Sequence, residues 1–204
     1  MQYIQFKEQF SNHLAFSVLD IKKAYPDFNM MNLVNWQQKN YIKKLRNGWY
    51  RFNNKIENEN ELFYIANKIY SPSYISLETA LKYYGLIPEE VFSIYSISTS
   101  KTITFNNEVA VFKYSKLKNE CFFGYKLITS SSFTYKIADI EKSLLDFIHL
   151  RIKKTSIEDY AAYRINQSIV AEQVDFQKLL NYAKLFKNKH LMQKISEFKK
   201  YTNA

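Results

Sequence analysis

Glycine is scarce in this chain, with three in 204 residues, Gly48, Gly85 and Gly124, each isolated. No glycine-rich loop that wraps phosphates can be built from them, which excludes the P-loop and dinucleotide-binding classes. Cysteine is scarcer still. Cys121 stands alone, so an internal disulfide and a cysteine zinc cluster are both impossible, and a reducing cytoplasm is the expected setting. The histidines, His13, His149 and His190, lie far apart, and none has a helical i, i+4 partner among His, Cys, Asp or Glu. No metal and no cofactor is expected. Long apolar runs are missing too: nothing approaches the roughly 18 residues that span a bilayer, and no N-terminal run resembles a signal peptide. A membrane is therefore not an expected partner. Proline occurs only as Pro26, Pro72 and Pro88, each where a helical pattern stops.

What is present is positive charge, unevenly spread. The formal net charge is +10. Residues 1–55 carry nine Lys and Arg against three Asp and Glu; residues 56–150 carry nine against eleven, and residues 151–204 eleven against five. Two basic ends bracket a near-neutral middle, an arrangement that suits polyanion contacts at two surfaces. Part of the basicity, and of the 17% aromatic content, follows from a composition rich in the Lys, Asn, Ile, Phe and Tyr of A/T-rich codons, so the distribution is the stronger signal. With 47% hydrophobic residues the chain can bury one good core and a small accessory one. The expected division is a small unit over residues 1–56 and a larger one over 57–204.

The stretch Phe16–Phe52 speaks most directly about function. Ser17 and Asp20 are spaced to satisfy the open amides of a helix start over Val18, Leu19, Ile21, Ala24 and Tyr25, and Pro26 stops that helix. Asp27 and Asn29 offer a second cap. From there Met30, Leu33, Val34, Trp36 and Gln37 fall on one side at about 100° per residue and are expected to face inward. Met31, Asn32, Asn35, Gln38 and Lys39 are left outward, a row of amides and one cation with no carboxylate. Amides donate and accept at once, which suits the edge of adenine in the major groove, although exposed Asn and Gln are also simply solvated in many helices. Tyr41–Leu45 and Trp49–Phe52 then flank Arg46-Asn47-Gly48, the signature of a tight β-hairpin. Lys43, Lys44, Arg46 and Arg51 all lie on this ribbon, and a hairpin laid along phosphates gains from each. Two short helices and a basic hairpin follow the order of a winged helix-turn-helix. The expected DNA-binding residues are thus Asn29, Met31, Asn32, Asn35, Gln38, Lys39, Lys43, Lys44, Arg46, Asn47 and Arg51, and the expected ligand is double-stranded operator DNA.

Beyond the hairpin, Asn53–Asn60 with Glu57, Glu59 and Glu61 reads as a polar, acidic linker into a helix that carries Leu62, Ile65, Ala66 and Ile69. YISLETALKYYGLIPEE (74–90) places Ser76 as a cap, Gly85 as a stop and Pro88 just beyond. Residues 91–136, rich in Val, Ile, Phe, Tyr and Thr with turns at Asn106-Asn107 and Asn119, read as several antiparallel strands. From Ala138 the helical period returns, with breaks near Thr155 and Gln167. The fold class expected is α+β: a winged helix-turn-helix followed by a larger α/β unit with a mainly antiparallel sheet.

No catalytic constellation emerges from these segments, and an enzyme is not expected. Asp146 and His149 lie three apart on one helical stretch, a spacing commoner in structural contacts than in sites. Asp139 and Glu141 sit where carboxylates stabilise a helix start. Cys121 reads as an inert buried thiol. Tyr83-Tyr84 and Phe122-Phe123 can stack on single-stranded bases, but pack in a core far more often. Lys184, Lys187, Lys189, Lys194, Lys199 and Lys200 form either a solvated helix face or a polyanion surface.

The segments YISLETALKYYGLIPE (74–89), STSKTITF (98–105), ECFFGY (120–125) and IADIEKSLLDFIHL (137–150) come in an order and spacing that resembles the AbiEi family of antitoxins from abortive-infection toxin-antitoxin systems. The resemblance runs from about residue 3 to about 195, with Ile140 where that family is expected to have proline. It implies a transcriptional autorepressor with an N-terminal operator-binding domain. It further implies a C-terminal domain that counteracts a nucleotidyltransferase toxin of the AbiEii-like kind, with or without direct contact. A winged-helix regulator without a toxin partner, and an RNA-binding or RNA-processing protein using the basic C-terminal helices, are the competing readings.

Overall fold

The structure, a computed structural model, describes residues 2–130, 132–153 and 160–202. It is a mixed α+β fold with a three-stranded and a six-stranded sheet. The chain opens with α1 (Tyr3–Phe10), β1 (Phe16–Ser17), α2 (Val18–Ala24), α3 (Met31–Gln38), β2 (Ile42–Arg46) and β3 (Trp49–Phe52). The small sheet has the order β1-β3-β2 with both pairings antiparallel.

Aromatic residues hold this first unit together. Phe6, Phe10, Phe16, Phe28, Trp36, Tyr50 and Phe52 are buried with Ile21, Leu33 and Ile42 in one cluster. Phe6 sits at its centre, its ring centroid 4.7 Å from that of Trp36 and 4.8 Å from that of Phe10. So small a unit lacks the volume for many aliphatic layers, and large rings supply the buried area instead. The expected capping box is present: the Ser17 hydroxyl accepts from the Asp20 amide, and the Asp20 carboxylate accepts from the Ser17 amide at 2.8 Å. Partial burial works against the Asp20 charge, but these Ser17 hydrogen bonds hold its carboxyl below its ordinary value. Of the two caps expected for α3, neither is the N-cap, which is Met30; Asn29 stands one residue before it, accepting from the Met31 amide at 2.9 Å.

The expected acidic linker is shorter than its composition suggests. Asn58 caps α4 (Glu59–Ile69), so Glu59 and Glu61 belong to a helix, and Glu61 is buried against the neighbouring unit. There follow β4 (Ser73–Ile75), α5 (Leu77–Tyr83), β5 (Ser93–Ser98), β6 (Ile103–Asn106), β7 (Val111–Lys116), β8 (Tyr125–Ser130), β9 (Phe133–Ala138) and α6 (Ile140–Leu150). The chain continues into α7 (Gln167–Gln173), α8 (Phe176–Leu185) and α9 (Lys189–Thr202). The break expected near Thr155 lies outside the described residues, and the one near Gln167 is the start of α7.

The six-stranded sheet runs β6-β7-β5-β4-β9-β8. It is mixed: the antiparallel pairs β6–β7, β4–β5 and β8–β9 alternate with parallel pairing of β5 with β7 and of β4 with β9. Strand composition cannot distinguish these, because direction is set by the connections and not by side-chain periodicity. Side chains alternate across the sheet. Ile75, Ile94, Phe112, Tyr114, Tyr135 and Ile137 meet Phe63, Ala66 and Ile69 of α4 on one face, while Tyr74, Ile97 and Ala138 meet α5, α6, α8 and α9 on the other. The first unit is seated against this body, since Ala15 and Leu45 belong to the α4 cluster.

Candidate nucleic-acid interface

Only two side chains of the eight-residue α3 are fully buried, Leu33 and Trp36. They point into the aromatic cluster and so fix which face is outward. Met31, Asn35 and Gln38 are exposed, as is Lys39 just past the helix, and Asn32 is half-buried at the edge. Met30 and Val34, expected inward, are instead 39% and 44% exposed. A helix this short touches its core at only a couple of positions, so a wide apolar arc overfills the space available. The outward face of α3 is consequently part amide and part apolar. Gln37 lies at the boundary, its amide donating to the Leu33 carbonyl at 2.9 Å.

The hairpin follows directly and is held in place from both sides. The Val18 amide donates to the Gly48 carbonyl at 2.9 Å, which ties the turn to the start of α2. Gly48 takes φ +77°, whereas Asn47 is absent from the positive-φ residues, so only one of the two turn positions has the left-handed geometry. The β2–β3 register shifts between Lys44 and Arg46, which absorbs the difference.

The four hairpin cations have separate fates. Lys44 and the turn residue Asn47 are exposed. Lys43 makes an ion pair at 3.4 Å with Glu108, which is itself largely exposed. Arg46, expected to touch phosphate, is a structural pin: it donates to the Ile69 carbonyl at 2.8 Å and lies over the rings of Phe105 and Tyr70 at 5.0 and 5.7 Å. Arg51 is 2% exposed and turned inward, donating to the Asn54 backbone and side-chain oxygens at 2.9 and 3.1 Å. Burial lowers its pKa against the opposing pull of Glu61. Arg51 is withdrawn from solvent, and the half-buried Arg46 is committed to contacts within the protein. The sequence counted cations; the fold uses Arg46 to seat the hairpin on α4 and β6 and Arg51 to hold the chain just past β3, and Asn107 adds a bond to the Leu45 carbonyl at 2.9 Å. The surface that remains consists of the α3 face, Lys39, Lys44 and Asn47, with Lys43 shared with Glu108. Asp27 and Glu108 are the acids in the segments that border it.

A second polar cluster lies in α6 and has the opposite character. Lys142 and Asp146 are fully buried and paired one turn apart. Asp146 also accepts from Tyr74 and Ser76 hydroxyls at 2.9 and 2.8 Å, and the Lys142 ammonium donates to the Tyr74 oxygen at 2.9 Å and faces the rings of Phe123 and Phe186. Ser76, expected as a cap for α5, spends its hydroxyl here. His149 does not join Asp146; its ring stands edge-on to Phe186, and burial lowers its pKa against the raising effect of Asp146. Asp139 caps α6 without the proline, accepting from the Lys142 amide at 2.8 Å. Glu141 and Asp139 both hold Lys178 of α8, at 2.7 and 3.1 Å. Cys121 is buried, and its thiol pKa is pushed up by that burial. With its carboxylates and ammonium groups paired with one another and Lys142 and Asp146 fully buried, this cluster has the character of a structural network.

Among the described residues no group of three or more His, Cys, Asp and Glu is placed to hold a metal ion, and no helix is long and apolar enough to cross a membrane. Compared with known proteins, the chain matches no family model and no curated protein.

Proposed function

We propose that the first unit is a winged helix-turn-helix that binds double-stranded DNA, α3 entering the major groove and the β2–β3 hairpin following the adjacent phosphates. The order α1-β1-α2-α3-β2-β3 with sheet order β1-β3-β2 supports the winged-helix reading. The observation that carries the DNA reading is the outward side of α3, which holds amides and no carboxylate and runs into exposed Lys39 and Lys44. On the resemblance of residues 74–150 to the AbiEi antitoxins, the protein is an autorepressor that also counteracts a nucleotidyltransferase toxin, and its larger unit serves that second task.

Fluorescence anisotropy with the duplex immediately upstream of the gene tests the first part. The full chain should bind with an affinity that falls steeply as salt rises, and Lys44→Ala should lower the slope of log K against log salt by about one. Absence of binding to any duplex in low salt would sink the reading. Co-expression with a neighbouring nucleotidyltransferase, scored by colony survival, tests the second part; no protection by a soluble chain would refute it.

A further inference from the structure

The outward stripe of α3 has a composition that bears on which bases it reads, given the DNA-binding role proposed above. Met31, Val34, Asn35 and Gln38 follow one another at i, i+3, i+4 and i+7, so they line a single face. That face spans about 10 Å at 1.5 Å per residue, the length of about three stacked base pairs. Two of its side chains are apolar and open to solvent, Met31 at 57% and Val34 at 44%.

Base-pair chemistry sorts these residues. Guanine is read by paired donors, above all arginine or lysine on its O6 and N7, and cytosine by an acceptor carboxylate on its amino group. Residues 31–38 contain no Arg, Lys, Asp or Glu. Of the nearest arginines, Arg46 donates to the Ile69 carbonyl and Arg51 is buried on Asn54. Adenine is read by an amide that donates to N7 and accepts from N6, and thymine alone presents a methyl group in the major groove. An amide beside an apolar side chain fits an A·T pair and leaves the polar groups of a G·C pair without partners. We propose that α3 reads A·T base pairs, with Asn35 and Gln38 on adenine edges and Met31 and Val34 against thymine methyl groups, so that the core of the operator half-site is a run of A·T pairs.

The test begins with the full-length chain and a pool of duplexes randomised at their central positions. Bound duplexes should converge on adjacent A·T pairs, and replacing any one of these by G·C should weaken binding by about tenfold or more. Deoxyuridine placed for thymidine in the selected duplex removes only the methyl groups and should weaken binding by about fourfold for each methyl contacted. In the Met31→Ser/Val34→Ser variant the two duplexes should bind alike, while Lys44→Ala should weaken both equally and preserve their ratio. A selected core of G·C pairs, or identical binding of the thymidine and deoxyuridine duplexes by the unaltered chain, overturns the proposal while leaving DNA binding intact. Failure to enrich any duplex sinks the DNA-binding reading itself, and this one with it. Should the double serine variant change the sedimentation of the chain from dimer to monomer without altering the thymidine-to-deoxyuridine ratio, the face contacts a second copy and the proposal is wrong.

Discussion

The α3 face and the α6 cluster use polar residues in opposite ways. On α3 the amides point into solvent and the apolar Met31 and Val34 accompany them, so the helix is only lightly invested in its own core. On α6 every residue from Glu141 to Ile148 is buried, including Lys142 and Asp146, and each charge is matched by a partner. Interaction with something outside requires polar groups that the fold has left unsatisfied. A polar group already satisfied inside, however chemically suggestive, serves the fold. The same contrast divides the hairpin, where Lys44 is free and Arg46 is engaged.

Breaking the α6 side of the comparison should have the largest effect. Lys142→Met leaves Asp146 charged and buried with only hydroxyl partners, and urea denaturation should show a loss of about 3 to 5 kcal/mol. Lys142→Met/Asp146→Leu removes both charges and should recover a substantial part of that loss, since two apolar side chains of similar volume need no desolvation. If the double variant is no more stable than the single one, the pair is not the source of the cost.

The hairpin sharpens the comparison at an intermediate scale. Arg46→Ala should cost about 1.5 to 3 kcal/mol of stability, the range for hydrogen bonds from a charged group. Lys44→Ala should cost less than about 0.5 kcal/mol, as exposed positions do. Their effects on salt dependence should be reversed, with the slope lowered by Lys44→Ala and not by Arg46→Ala. An Arg46 variant of unchanged stability and reduced salt slope would return that residue to the DNA surface.

The smallest expected effect is a pH dependence at the edge of the α6 cluster. Burial depresses the pKa of His149 below its ordinary value of 6.5, so the folded state binds the proton less readily than the unfolded one. Its contribution is therefore fully present above pH 6.5 and is lost progressively as pH falls from there toward the folded value. Comparing denaturation midpoints near neutrality and in mild acid, His149→Phe should flatten this part of the profile. An identical slope in the variant would assign the pH dependence elsewhere.

Local sequence determined the punctuation of the fold. The Ser17–Asp20 box, the stop at Pro26, the turn at Gly48 and the Asp139 cap each depend on residues within a few positions of one another, and all stand where the spacing places them. The amide row Asn32, Asn35 and Gln38 was legible for the same reason. What only the tertiary structure decided is where long side chains go once the elements meet. Lys43 and Arg46 look alike in a hairpin, yet one reaches Glu108 at the surface and the other is drawn between Phe105 and Tyr70. Arg51 is buried on the Asn54 oxygens and within the field of Glu61, a placement invisible in the composition of the hairpin. Ser76, Tyr74 and Asp146 converge from β4, the start of α5 and α6 across about 70 residues of sequence. Strand direction in the large sheet is likewise a property of crossovers. Periodicity carries information about one element and its two faces; which neighbour covers each face is a matter of contacts distant in the chain, and that decides whether a charge is available to a ligand.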